Sequence, residues 1–93
     1  MAPINTLHIL NKAPEHPRSL ACMSVLQSGD ALLLTENAVL ALAVNSIDPG
    51  VPVFALAPDL AARGLESGIQ GASLVDYAGM VDLTTHAQKL INW

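Results

Sequence analysis

Ala31-Leu32-Leu33-Leu34 stands between the turn signals Ser28-Gly29 and Glu36-Asn37. Four uninterrupted apolar residues without alternation suit a strand buried on both faces, as in a parallel sheet. Working outward, the same grammar repeats. Upstream, Thr6-Leu7-His8-Ile9-Leu10 is short and β-prone, followed by a polar loop from Asn11 to Pro17. Ser19 then reads as the N-cap of a helix over 20–27. Downstream, 38–44 reads as a short alanine- and leucine-rich helix, and 46–52 as a loop that turns on Asp48-Pro49-Gly50.

Val53-Phe54-Ala55-Leu56 reads as a third strand. Pro58 and Asp59 then open a helix that stops at Gly64. After a loop over 68–71, Ser73 to Tyr77 reads as a fourth strand, 78–85 as a last helix, and the rest as a tail to Trp93. Four β-α units with short connections predict one α/β domain over 1–93. Its mostly parallel central sheet should have about four strands, with helices on both faces.

The composition points the same way and adds a surface argument. The chain has 93 residues, of which 52% are apolar and 13% charged. Ordinary soluble domains carry about 25% charge. That is more apolar side chain than one small core needs, so part of the surface is expected to be covered by other chains. Eight acids against four bases give a net charge of −4, and Lys12, Arg18, Arg63 and Lys89 are scattered. Direct nucleic-acid binding, which needs clustered bases, is not expected. No apolar run reaches the ~18–20 residues of a membrane span. The start, Met1-Ala2-Pro3-Ile4-Asn5, has neither a basic stretch nor an apolar core, so no signal peptide is expected. With one cysteine and no internal disulfide, a cytoplasmic location fits.

Cys22 is the only soft nucleophile. The plain reading of a free cysteine is a small buried hydrophobe. The other is a thiolate. In a helix starting at Leu20, Cys22 lies in the first turn, where free N–H groups and the dipole favour an anion, with Arg18 four residues earlier. Among the histidines, His8 reads as a satisfied strand histidine, His16 as solvated loop, and His86 as a favourable charge at a helix end. Their spacing matches no metal site, and no cofactor pattern (neither G-x-G-x-x-G nor a Walker sequence) is present. Gly29 and Gly64 read as helix C-caps. Tyr77 reads as packing, and Trp93 as a ring that needs a groove or a partner to cover it.

Three stretches go beyond generic α/β: Leu7-His8-Ile9-Leu10-Asn11-Lys12-Ala13-Pro14; Ala57-Pro58-Asp59-Leu60-Ala61-Ala62-Arg63-Gly64; and Val75 to Thr85, with Trp93 closing the sequence. Together they resemble the DsrH/TusB family, the smallest subunits of the DsrEFH and TusBCD sulfur-relay complexes. The resemblance implies a hetero-oligomer with homologous DsrE/TusD-like and DsrF/TusC-like subunits. It implies transfer of persulfide sulfur to a TusE/DsrC-like acceptor, for tRNA wobble 2-thiouridine in the Tus branch or sulfur oxidation in the Dsr branch. It puts Cys22 forward as a candidate persulfide carrier, because the Dsr-branch subunit tends to have a cysteine seven residues before the glycine that ends its first helix, here Gly29. The family's principal sulfur-carrying cysteine belongs to the larger DsrE/TusD subunit.

One departure is visible. The family often has Asp-Gly-Val after the second strand, where this chain has Asn37-Ala38-Val39. Three readings of function stay open: an interaction subunit of a sulfurtransferase complex with Cys22 as carrier, a purely structural subunit, and a small-ligand module with its site at the carboxyl ends of the strands.

Overall fold

A computed structural model of the chain describes residues 3–43, 49–65 and 70–93. The expected turn at Asp48-Pro49-Gly50 and the loop over 68–71 lie partly outside these residues. In chain order the elements are β1 (Ile4–Leu10), α1 (Pro17–Val25), β2 (Ala31–Leu34), a 3₁₀ helix (Glu36–Leu42), β3 (Val53–Leu56), α2 (Ala57–Ala62), β4 (Ser73–Val75), α3 (Tyr77–His86) and β5 (Ala87–Asn92). Among the described residues the five strands form one sheet in the order β4-β3-β2-β1-β5, and every pairing is parallel.

The apolar run Ala31–Leu34 lies in the central strand, buried along its whole length. The chain steps from β1 to β4 in one direction and returns over the sheet to β5. Right-handed crossovers then put the first three connections on one face and α3 on the other. Packing follows that division. Leu10, Leu32, Leu34, Val53 and Ala55 point toward Cys22 of α1, Val39 of the 3₁₀ helix and Leu60 of α2 in one cluster. Ile4, Leu7, Ala31 and Leu33 meet Leu83 of α3 in the other.

The expected α/β class is found, with one strand more than expected. Ala87–Asn92, read as tail, pairs with β1 as the fifth strand. Three local readings are also corrected. The helix expected from Leu20 begins at Pro17, with His16 as its N-cap. Proline fits the first helical position, where no N–H is needed, and His16 Nδ1 accepts the Arg18 amide at 3.0 Å. Ser19 is therefore inside the helix, and its hydroxyl donates back to the Ala13 carbonyl at 2.7 Å.

The helix expected over 38–44 is a 3₁₀ helix that starts earlier, at Glu36. Gly29 is not a helix cap, because α1 ends at Val25. Its φ of 94° serves the turn into β2, where its carbonyl accepts the Asn5 amide at 2.8 Å. Gly64, in contrast, follows α2 with a φ of 67°, and Leu65 N–H bonds back to the Leu60 carbonyl, as a C-cap requires.

Candidate functional site

The earlier start of α1 changes the position of the candidate nucleophile. Counting from Pro17, Cys22 is the sixth helical residue and not the third, so it is past the first turn, where the dipole is effective. Its side chain is 0% exposed, on the underside of the helix with Leu10, Leu32 and Val39. Burial pushes the thiol up from 9.0 to about 11. Water leaves this site, and nothing replaces its solvation of a thiolate, so the protonated form is held. Arg18 is exposed on the outside of α1. Sulfur transfer needs a thiolate that another sulfur can reach. In this conformation Cys22 is a neutral thiol inside the core.

A second polar feature lies on the same sheet face. His8, in β1, is 2% exposed and Asp30, just before β2, is 8% exposed. His8 Nε2 is 3.0 Å from Asp30 Oδ2. On the other side of the ring, Trp93 Nε1 donates to His8 Nδ1 at 3.1 Å. An indole nitrogen can only donate, so Nδ1 carries the lone pair and the proton sits on Nε2, which donates to Asp30. The ring is thus neutral and in one tautomer. The Trp93 and His8 rings lie nearly parallel, edge to edge along this bond, with centroids 6.1 Å apart and planes at 19°.

Asp30 Oδ2 also accepts the Gln27 amide at 3.1 Å. Burial alone would push this carboxyl up. The hydrogen bonds from His8 and the Gln27 amide, with the pull of a positive charge on the His8 ring when it is protonated and the hydrogen bond from the Thr6 amide, outweigh it and bring Asp30 below its ordinary 3.8. Among the described residues no buried side-chain nitrogen or oxygen lacks a partner.

The expectation of a satisfied histidine at His8 holds. Sequence reading missed Asp30, 22 residues away, and did not connect Trp93, 85 residues away. No local motif joins them; only the pairing of β1 with both β2 and β5 does. Trp93 is half-buried against the helix-rich cluster, and its amide donates to the Ile9 carbonyl at 3.0 Å. The Lys12 ammonium donates to the Trp93 carbonyl at 3.0 Å. His86 closes α3 and donates from Nδ1 to the Asp82 carbonyl at 2.8 Å.

Among the described residues no three His, Cys, Asp or Glu side chains are grouped to hold a metal ion. No helix among them is long and apolar enough to cross a membrane. At the carboxyl side of β1 and β2 an open groove of about 500 Å³ has Pro14, Glu15, Leu40 and Ala43 as its described lining. These four residues offer one carboxylate. Orienting a small ligand takes several convergent polar groups.

Residues 12–90 match the family of DsrH like proteins. The chain belongs to the DsrH/TusB family. Protein TusB of Pectobacterium carotovorum subsp. carotovorum is 32% identical to it over 94 residues, covering 94% of this chain and 99% of that one. Protein TusB of Buchnera aphidicola subsp. Baizongia pistaciae is 30% identical over the same shares. Two solved structures share the fold of this DsrH-family chain. The ychN protein from E. coli superposes with a TM-score of 0.75 at 18% identity, over 97% of this chain and 99% of that one. Protein Tm0979 from Thermotoga maritima gives 0.69 at 23% identity, over 86% and 91%.

Proposed function

We propose that this chain is a structural subunit of a cytoplasmic sulfur-relay complex. In it, a homologous DsrE/TusD-like subunit supplies the sulfur-carrying cysteine, beside a DsrF/TusC-like subunit. Sulfur passes on to a TusE/DsrC-like acceptor and ends in 2-thiouridine at the tRNA wobble position. Membership of the DsrH/TusB family supports the relay. The curated relatives named TusB, at 30–32% identity over nearly the whole chain, support the tRNA branch over sulfur oxidation.

The observation that carries the structural role is the burial of Cys22. A carrier must be attacked by one thiolate and release sulfur to another, so both its ionisation and its access matter. Cys22 has neither, being 0% exposed and pushed up to about 11. The surplus of apolar surface supports a subunit role. Leu20 and Val25 on α1, Tyr77 and Val81 on α3, and Leu74 and Leu90 on the edge strands are all at least 43% exposed. Scattered apolar residues are normal on a surface, but six large ones among the described residues leave ample area for partner contacts.

The test is to reconstitute the complex with Cys22→Ala in this chain and follow sulfur transfer to the acceptor by mass spectrometry. Transfer at the wild-type rate, with no persulfide on Cys22 of the wild-type chain, is the expected result. A persulfide on Cys22 together with lost transfer in the variant would establish it as a carrier and overturn the structural reading.

A further inference from the structure

The Asp30–His8–Trp93 chain has no place in the proposed relay. Its hydrogen bonding is nevertheless specified at every atom. Trp93 Nε1–H needs a lone pair on Nδ1, and Asp30 needs the proton on Nε2. The arrangement therefore accommodates only the neutral ring. We propose that Asp30, His8 and Trp93 form an acid-sensitive latch, which holds the Trp93 ring and the end of β5 against the sheet while His8 is neutral and releases them when His8 is protonated.

A proton from solvent adds to Nδ1. The bond from Trp93 Nε1–H breaks, because two donors then face each other. Asp30 accepts Nε2–H in either charge state, and its bond to an imidazolium is charge-assisted and stronger. So the arriving proton displaces Trp93 and leaves Asp30 in place.

The other groups near the ring do not compensate for the proton. Cys22 of α1, on the same sheet face, is an uncharged thiol. Lys89 of β5 is exposed and pairs in register with Thr6, while His8 faces Ile91. Lys12, after β1, is held by Asn11 Oδ1 at 2.6 Å and by the Trp93 carbonyl. Farther along the same face, the Glu36 backbone amide donates to Asp59 Oδ2 of α2, and Arg63, which caps α2, donates to the Asp59 carbonyl and to Asn37 Oδ1. Of these groups, only Asp30 is an acceptor within reach of the ring, and it is already engaged on the Nε2 side.

Trp93 is the only tryptophan, so its fluorescence reads the latch directly. With the intact chain, the emission should shift to the red and become more accessible to a soluble quencher as the pH falls across the histidine range. Far-UV circular dichroism should change only by the small loss at β5. By NMR, the Trp93 indole proton should lose its protection at the same midpoint as the His8 ring titration. A His16→Gln/His86→Gln variant should retain the transition. His8→Gln, which keeps a donor and an acceptor but cannot charge, should abolish it. An emission spectrum that stays constant while the His8 ring protons titrate would overturn the latch, even if His8→Gln fails to fold. So would an unchanged transition in a folded His8→Gln.

Discussion

The two faces of the sheet are built to different standards. Among the described residues, one is covered by α1, the 3₁₀ helix and α2, and encloses nine fully or nearly buried residues in a single cluster. The other is covered by α3 alone, which contributes one buried residue, Leu83, and leaves Tyr77 and Val81 each 58% exposed. The topology causes this. Three crossovers run in one direction and only one returns, so coverage is unequal before any side chain is chosen. The crowded face can take a titratable group into a dry interior on two terms: neutral, as Cys22 is, or fully partnered, as His8 is. The sparse face holds its helix through Leu83 and the half-buried Met80.

The largest expected effect follows from that scarcity. Leu83→Ala should cost about 2–5 kcal/mol, the usual range for a fully buried leucine. It should also speed amide hydrogen exchange throughout α3, because no second fully buried residue of that helix takes over. Leu60→Ala on the crowded face removes a side chain equally buried, yet its neighbours α1 and the 3₁₀ helix should keep their protection. Equal loss of protection on both faces in both variants would erase the contrast.

Next in size is Asp30→Ala, which strips the acceptor from both His8 Nε2 and the Gln27 amide. Hydrogen bonds to charged groups contribute about 1.5–3 kcal/mol each, and their loss is only partly offset by relief of the carboxylate's burial, so a net cost of about 3 kcal/mol is expected. The carboxyl has a folded value below its ordinary 3.8. A depressed acid contributes stability that is fully present above its unfolded value and is lost as the pH falls through the folded one. The wild-type chain should therefore lose this contribution below about pH 3.8, and the difference from Asp30→Ala should narrow in the same window. Denaturant melts at a series of pH values measure it. A difference that stays constant to the lowest pH would mean that Asp30 contributes no charge-dependent stability.

The contrast between the faces also explains what was legible. Strands β2 and β3 are apolar runs between turn signals, and burial on both faces makes those runs nearly independent of context. Ala87-Gln88-Lys89-Leu90-Ile91-Asn92 is a strand for another reason. It lies on the sheet edge and pairs on one side only, so its outer residues stay polar and show no strand pattern. Lys89 on such an edge also discourages pairing with other chains. The start of α1 was legible in principle, since proline at the first helical position is a start signal, and Ser19 competed with it as an apparent cap. At the candidate sites, Cys22 could be found from sequence but not its depth. The depth depends on which side of α1 meets the sheet and on where the helix begins. The partners of His8 come from two other strands' ends and leave no local trace.

A smaller effect is expected at Cys22. Serine in place of the thiol puts a hydroxyl among Leu10, Leu32 and Val39, at a cost of about 1–2 kcal/mol if no acceptor is within reach. Alanine avoids the polar penalty, which separates the environment from the loss of volume. In the native wild-type chain, alkylation of Cys22 should be slow at neutral pH and should accelerate in denaturant to the rate of a free thiol. Fast labelling of the native chain would show an open state of α1 and would return Cys22 to the carrier role.

The smallest effect is a gain. Glu36 has a φ of 49°, the left-handed region that L side chains other than asparagine and aspartate rarely adopt. The family's glycine after the second strand corresponds to Ala38, which lies inside the 3₁₀ helix, so its absence leaves no strained residue at that position. The strain sits two residues earlier. There the Glu36 amide donates to Asp59 Oδ2 at 2.6 Å, tying the end of β2 to α2 on the crowded face. Glu36→Gly keeps that backbone donor and removes the side-chain clash. A left-handed residue costs roughly 1–2 kcal/mol, and the added freedom of glycine in the unfolded chain takes back roughly 0.5–1 kcal/mol. A net gain of about 0.5–1 kcal/mol is expected, read as a higher denaturation midpoint with an unchanged slope. A loss of stability would mean that the Glu36 side chain contributes more to this junction than its backbone costs. Asp59→Ala, which removes the acceptor, would then decide between them: if the amide bond is what holds the turn, this substitution lowers stability both in the wild-type chain and in the Glu36→Gly variant.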